Sequence, residues 1–240
     1  MGNSLLHYLN QRLHEEIPQS RSVQSTAGPV ITISREVGCN GLVVARMLAD
    51  ELNKNRNTPE WKVLSKEVFY KSALELNLEP EKIRRMFKRT DTYTFEQILK
   101  AFGDKRYKSE AKIANTVREV IHSLAVDGFN IIVGRAGRII ARDIKNSLHL
   151  RLVAPLEYRV VNIMNNNKLN RNEAVAFIER VEQERIAFRK LVRVDDAPDL
   201  YYDLTINRAS FTDLEVVDLI KQSIEMKQMV ANYKTAIQYY

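Results

Sequence analysis

Five short runs of aliphatic and β-branched residues, each followed by a stretch with helical spacing, constrain this 240-residue chain more than any other feature. The runs lie at 30–33, 62–64, 129–133, 148–153 and 204–206. They are too short for core helices, and several are too uniformly apolar for a sheet with one wet face, so they predict strands buried on both sides. Between them the spacing predicts helices at 42–52, 66–77, 80–89, 109–126, a turn or two through Ile139 and Ile140, 156–166, 171–190 and 212–228. Leu42, Val43, Ala45, Leu48, Ala49 and Leu52 mark one apolar stripe; Ile113, Val117, Val120, Ile121 and Leu124 mark another, stopped by Asp127-Gly128. Alternating strands and helices predict an α/β three-layer sandwich around a five-stranded parallel sheet. An amphipathic helix at 3–16 and a linker from Pro18 to Pro29 are expected ahead of this domain. The domain itself is expected at 29–229, with a tail at 230–240.

Composition excludes several classes. Cys39 is the single cysteine, so no intrachain disulfide can form. No apolar run approaches the roughly 18–20 residues that span a bilayer. The N-terminus lacks the basic-then-apolar layout of a secretion signal, and a cytoplasmic protein without membrane partners is expected. The formal net charge of +7 and pI near 9.4 point to an anionic partner. Residues 82–112 carry ten Lys/Arg against four Asp/Glu. Such a segment is either a solvated helical face or a cationic wall around a phosphate-bearing ligand.

In parallel sheets ligands bind beyond the carboxyl ends of the strands. The loop after the first strand reads Ser34-Arg35-Glu36-Val37-Gly38-Cys39-Asn40-Gly41 and feeds a helix. Helix N-terminal amides and glycines that admit close approach make this layout an anion-binding device. Against the Walker A pattern, Arg35, Asn40, Gly41 and Leu42 stand at the first Gly, second Gly, Lys and Ser/Thr positions. Every fixed position differs. Arg35, Gly38, Cys39, Asn40 and Gly41 are the expected nucleotide-binding residues of this loop; the alternative is that Gly38 and Gly41 merely serve a tight strand-to-helix turn.

The wider pattern carries a resemblance. Ile31-Thr32-Ile33-Ser34-Arg35-Glu36-x-Gly38 with Ala45-Arg46-x-Leu48-Ala49-x-Glu51-Leu52 resembles the start of the cytidylate kinase-like family, relatives of the P-loop nucleoside monophosphate kinases. Ile131-Ile132-Val133-Gly134-Arg135 is similar to that family's third strand and Gly-Arg turn. Leu150 to Arg159, Glu184-Arg185-x-x-Phe188-Arg189 and Leu200 to Asn207 resemble its next strand, lid helix and last strand. The resemblance implies a P-loop NTPase-like fold, with a helical acceptor-binding insertion near 66–126 and a lid near 167–193. It implies transfer of phosphate from ATP, with Mg²⁺, to a nucleoside monophosphate such as CMP or dCMP. Arg185 and Arg189 would be lid arginines contacting both nucleotides; Gly134, Arg135 and Arg138 would hold the acceptor phosphate. Three positions depart from the family: Leu42 replaces a loop Arg, Ser65 an Asp after the second strand, and Ala136 an Asp after the Gly-Arg turn.

Each candidate has an ordinary alternative. Arg185 and Arg189, at i and i+4 on one helix, could be a solvated face. Arg135 could be a structural ion pair, and Arg35 could pair with Glu36 or Asp203. Cys39 sits near a helix N-terminus, where thiolates are stabilised, but has no adjacent base. The four histidines are scattered without metal-ligand spacing, and no protein ligand for Mg²⁺ is identifiable; Asp195-Asp196 could bind Mg²⁺ or substrate, but a loop pair before Pro198 is usually just solvated. Nucleoside mono- and triphosphates are the expected partners. A nucleotide-binding protein that has lost catalysis is the alternative function. Nucleic-acid binding through 82–112 is a third reading, but that stretch matches no recognised nucleic-acid motif.

Overall fold

The structure, a computed structural model, describes residues 27–55, 57–65, 110–192 and 201–231 of the chain, with side chains described except at 110–113 and 191–192. The sequence-predicted helices at 3–16, 66–77 and 80–89, nearly all of the basic segment, the tail from 232 and Asp195-Asp196 lie outside those residues. Among the described residues the strands are β1 (Val30–Arg35), β2 (Lys62–Leu64), β3 (Asn130–Val133), β4 (Ser147–Val153) and β5 (Leu204–Asn207). The helices are α1 (Gly41–Leu52), α2 (Glu110–Asp127), α3 (Gly137–Ile140), α4 (Leu156–Asn167), α5 (Arg171–Val192) and α6 (Asp213–Met226).

All five strands join one parallel sheet in the order β2-β3-β1-β4-β5. The reason lies in residue type. Val30, Ile31, Ile33, Ile131, Ile132, Leu148, Leu150 and Leu152 are all essentially inaccessible to water, as central parallel strands require. Alternate side chains serve opposite layers. Ile31, Ile33, Ile131, Val133, Leu148, Leu150 and Leu152 form one core with Val44, Ala45 and Leu48 of α1 and Val216, Val217 and Ile220 of α6. The opposite face is more polar. There Thr32 Oγ1 lies 2.7 Å from Nδ1 of buried His149, and Ser147 Oγ lies 3.0 Å from its Nε2. A smaller core of Val160, Ile163, Ala174 and Ile178 joins α4 to α5, with Val37 of the β1–α1 loop beneath it.

Two local devices set the frame. At the amino ends of the strands Gly28 and Gly128 meet backbone to backbone, and Phe129 N–H donates to Pro29 O at 2.7 Å. A side chain on either glycine would part the two segments. At the other end of the domain Thr212 and Glu215 close a reciprocal capping box on α6, with Thr212 N–H donating to Glu215 Oε2 at 2.8 Å. Placing β1 in the centre puts β3 and β4 on its two sides, so the chain reverses its order of addition there. The β1–α1 loop therefore opens at the topological switch point of the sheet.

Candidate phosphate site at the carboxyl end of the sheet

The loop from Glu36 to Asn40 is pinned from several sides. Glu36 N–H donates to Leu152 O at 3.0 Å, and Cys39 N–H donates to Glu36 O at 3.3 Å. From α4, Asn162 Nδ2 donates to Gly38 O at 2.9 Å and Asn166 Nδ2 to Asn40 Oδ1 at 3.0 Å. Gly38 has φ +91°, and a Cβ there would lie 2.7 Å from Arg159 O, so no other residue fits without moving α4. Asn40, also left-handed at φ 50°, caps α1 without a side-chain bond to it. Among the described residues the amides of Gly38, Asn40, Gly41 and Leu42 carry no protein acceptor. Four N–H groups at a helix start are the donors an anion needs.

Arginines gather around this loop. The Arg35 stem lies along Gly41, whose added Cβ would stand 3.1 Å from Arg35 Cγ, and its guanidinium rests on Gly134, where an added Cβ would stand 2.8 Å from Cζ. Arg35 thus links the glycine loop to the Gly-Arg turn after β3. Arg185, reaching in from α5, donates from Nη1 to Arg35 O at 2.9 Å. Arg135 Nε donates to Ser65 O at 3.2 Å, which holds its side chain toward the end of β2. Arg135 and Ala136 both take φ 55°, unusual for residues with a Cβ, so this turn stores backbone strain.

Charge in this cluster is poorly offset. Neither alternative partner serves Arg35: Glu36 faces Arg159, with Nε to Oε2 at 3.5 Å, and Asp203 faces Lys227 at 2.9 Å. Burial, then Arg185, then Arg135 push the Arg35 guanidinium well below its ordinary value. Burial likewise lowers Arg185, opposed by Glu182 and reinforced by Arg189. A guanidinium keeps its proton in proteins, so these shifts register first the cost of burying the charge and, at Arg35, next the crowding by Arg185 and Arg135. A dianionic phosphate would relieve it.

The remaining sequence candidates are placed differently. Arg189 is exposed one turn beyond Arg185. Arg138 leads away from the cluster, its Nε donating to Tyr201 O at 2.7 Å while its buried Nη1 has no acceptor. Cys39 is fully buried in the α1 core, and burial followed by the Glu36 charge pushes its thiol up to about 11. The thiolate stabilisation expected from a helix N-terminus is overridden by desolvation. Two residues that were not among the expected site residues complete the site, although Arg159 closes the family-like stretch 150–159. Arg159 packs on Gly38 and donates from Nε to Ala154 O at 3.1 Å, and Glu182 accepts from Val37 N–H at 2.6 Å. Both types are routine on helix faces, and only proximity to the loop distinguishes them.

A family model described as the cytidylate kinase-like family matches residues 30–210, which includes every strand and all of these arginines. The chain belongs to the cytidylate kinase-like family. Within it, the chain is 26% identical over 159 residues to a cytidylate kinase of Methanosarcina barkeri, covering 63% of this chain and 83% of that protein. It is also 29% identical over 106 residues to a uronate isomerase of Corynebacterium glutamicum, covering 43% of this chain but only 20% of that protein. This chain therefore spans about a fifth of the isomerase. A solved structure of an uncharacterized protein from Eubacterium ventriosum superposes with a TM-score of 0.58 at 18% identity, over 82% of this chain and 98% of that one. That likeness concerns the fold, which is the P-loop NTPase-like arrangement expected for a kinase-like family. None of the described helices is long and apolar enough to cross a membrane.

Proposed function

We propose that the chain is a kinase that transfers the terminal phosphoryl group of ATP to a nucleoside monophosphate, with CMP or dCMP as the acceptor. The observation that carries this reading is the position of Arg35, seated on Gly134 with its stem on Gly41 and its carbonyl held by Arg185. One guanidinium then stands between the loop that would hold the donor phosphates and the turn that would hold the acceptor phosphate. In phosphoryl transfer the protein mainly aligns the two oxygens and neutralises charge on the moving group, as one phosphorus–oxygen bond forms and another breaks. Arg35 takes over the duty of the missing loop lysine, its planar fork suited to two phosphate oxygens at once. The free amides from Gly38 to Leu42 bind donor phosphates, Arg135 and the strained Gly134 turn bind the acceptor, and α5 brings Arg185 and Arg189 as the lid.

Magnesium fits less well. Among the described residues no three His, Cys, Asp or Glu side chains gather as a metal site. Leu42 offers no hydroxyl, and Glu36, the carboxylate within the loop, is committed to Ala154 N–H at 3.1 Å and to Arg159. These residues give Mg²⁺ no ligand of their own, and no step is assigned to it.

Thermal melts with ATP, ADP, CMP and dCMP test binding, because a ligand of the native state alone raises its stability. A coupled assay with ATP and CMP then tests turnover. Higher melting temperatures together with ADP production support the kinase. Binding without turnover on any nucleoside monophosphate would leave a nucleotide-binding protein that has lost catalysis, and no shift with any nucleotide would remove the reading altogether.

A further inference from the structure

Oxygen Oε1 of Glu182 occupies an unusual position. It accepts from Val37 N–H in the glycine loop at 2.6 Å, and lies 3.9 Å from both Arg159 Nη1 and Arg185 Nη1. A third guanidinium, that of Arg35, feels the same carboxylate, which raises its otherwise depressed proton affinity. One backbone amide and two guanidiniums thus converge on a single anionic oxygen. Only the amide is at hydrogen-bond length. At 3.9 Å the two arginines are about 1 Å beyond the usual N–H···O distance, so one carboxylate oxygen under-fills the place it occupies. A tetrahedral anion with three oxygens would reach all three donors together.

The surroundings explain why a carboxylate is there at all. Arg159 and Arg185 are mostly enclosed, with 15% and 25% of their side-chain surface exposed. Two enclosed cations beside Arg35 would repel one another without a counter-anion. Glu182 supplies that anion from the same helix that carries Arg185, three residues before it. We infer that the Glu182 carboxylate holds the seat of a phosphate group, and that a nucleotide must displace it to engage the loop and Arg159. This rests on the reading of the loop as a phosphate site, and adds that α5 competes with the ligand for it.

Binding then has two parts. The incoming phosphate gains Val37 N–H, Arg159 and Arg185, while the carboxylate leaves for solvent; apparent affinity is reduced by the fraction of molecules in which the seat is filled. Removing the negative charge raises affinity, whereas removing an ordinary loop-supporting residue lowers it. That difference in sign separates the inference from a purely structural role.

Inorganic pyrophosphate is the probe, because it engages the seat without a base or ribose; its dissociation constant is measured by calorimetry for the whole chain and for Glu182→Gln and Glu182→Ala. Glu182→Gln keeps an acceptor for Val37 N–H and loses only charge, and Glu182→Ala serves as the second variant if the first does not fold. Pyrophosphate is expected to bind either variant about tenfold more tightly, the change that removing one close like charge from a partly buried site produces. Equal or weaker binding by the folded variants, with the unaltered chain binding normally, overturns the inference and leaves the kinase reading standing. Absence of both pyrophosphate and ATP binding in all three proteins overturns the phosphate site itself.

Discussion

Two polar clusters flank β4, and they solve opposite problems. On the face covered by α3, His149 is buried with both ring nitrogens engaged by Thr32 and Ser147, and its amide donates to Asp203 Oδ2 at 2.6 Å. Asp203 in turn pairs with Lys227. Beyond the carboxyl end of the same sheet, Arg159 lies near Glu36 and Glu182, Arg185 lies near Glu182, Arg35 is buried beside them, and four loop amides carry no protein acceptor. The first cluster is nearly closed upon itself and stays neutral at the ring. The second keeps positive charge and donors in excess. A polar network that satisfies itself supports the fold, whereas one whose deficit has a single sign is built for something outside the chain.

If that contrast is right, substitutions in the two clusters separate function from stability. The largest effect is expected for Arg185→Ala: turnover with ATP and CMP should fall by about 10²–10³, the usual loss on removing one preorganised charge donor, with a melting temperature close to that of the unaltered chain. A large drop in melting temperature instead would make Arg185 a structural residue.

Next is Gly38→Ala. Its Cβ would strike Arg159 O at 2.7 Å in a conformation that L residues rarely adopt. A loss of about 3 kcal/mol in denaturant unfolding is expected, from strain and overpacking combined. Measured pyrophosphate binding should weaken as well, because loop and α4 are forced apart.

His149→Phe tests the closed cluster. Burial is the largest cause that lowers His149 to about 4 from an ordinary 6.5. The unfolded chain therefore binds the proton that the native ring refuses. The stability due to the neutral ring is fully present above about pH 6.5 and is lost as pH falls from there toward 4, by up to ~3 kcal/mol. The Phe variant should be less stable by about 2 kcal/mol at pH 7, since Thr32 and Ser147 lose their partner. It should also be less acid-sensitive across that window, and nucleotide affinity should not change. A changed affinity would show that the two clusters are coupled across the sheet.

Smallest is Thr212→Ala, remote from both clusters, with about 1 kcal/mol lost from the α6 cap and turnover untouched.

Much of the framework was legible because its determinants are local. Ile31 and Ile33 announce a buried strand by residue type, and the stripe from Leu42 to Leu52 announces a helix by spacing; the helix boundaries expected at 156–166 and 171–190 compare with Leu156–Asn167 and Arg171–Val192. Cys39 shows the limit of local reading. Local position favours a thiolate, but the desolvation that opposes it comes from Val44, Leu48 and the sheet, which sequence neighbours do not reveal.

By itself, the sequence determined five strands, their alternation with helices and a glycine turn at the start of α1, since each depends on periodicity and backbone freedom within a few residues. Only the tertiary structure decided that Arg185 would meet Arg35 across 150 positions of chain, that Arg138 would turn toward Tyr201 instead, and that Glu182 would rest on a loop amide. Strand order β2-β3-β1-β4-β5 brings those pieces together. The physical reason is that a charge acts through space over a few ångströms, while the chain fixes only what lies next along it.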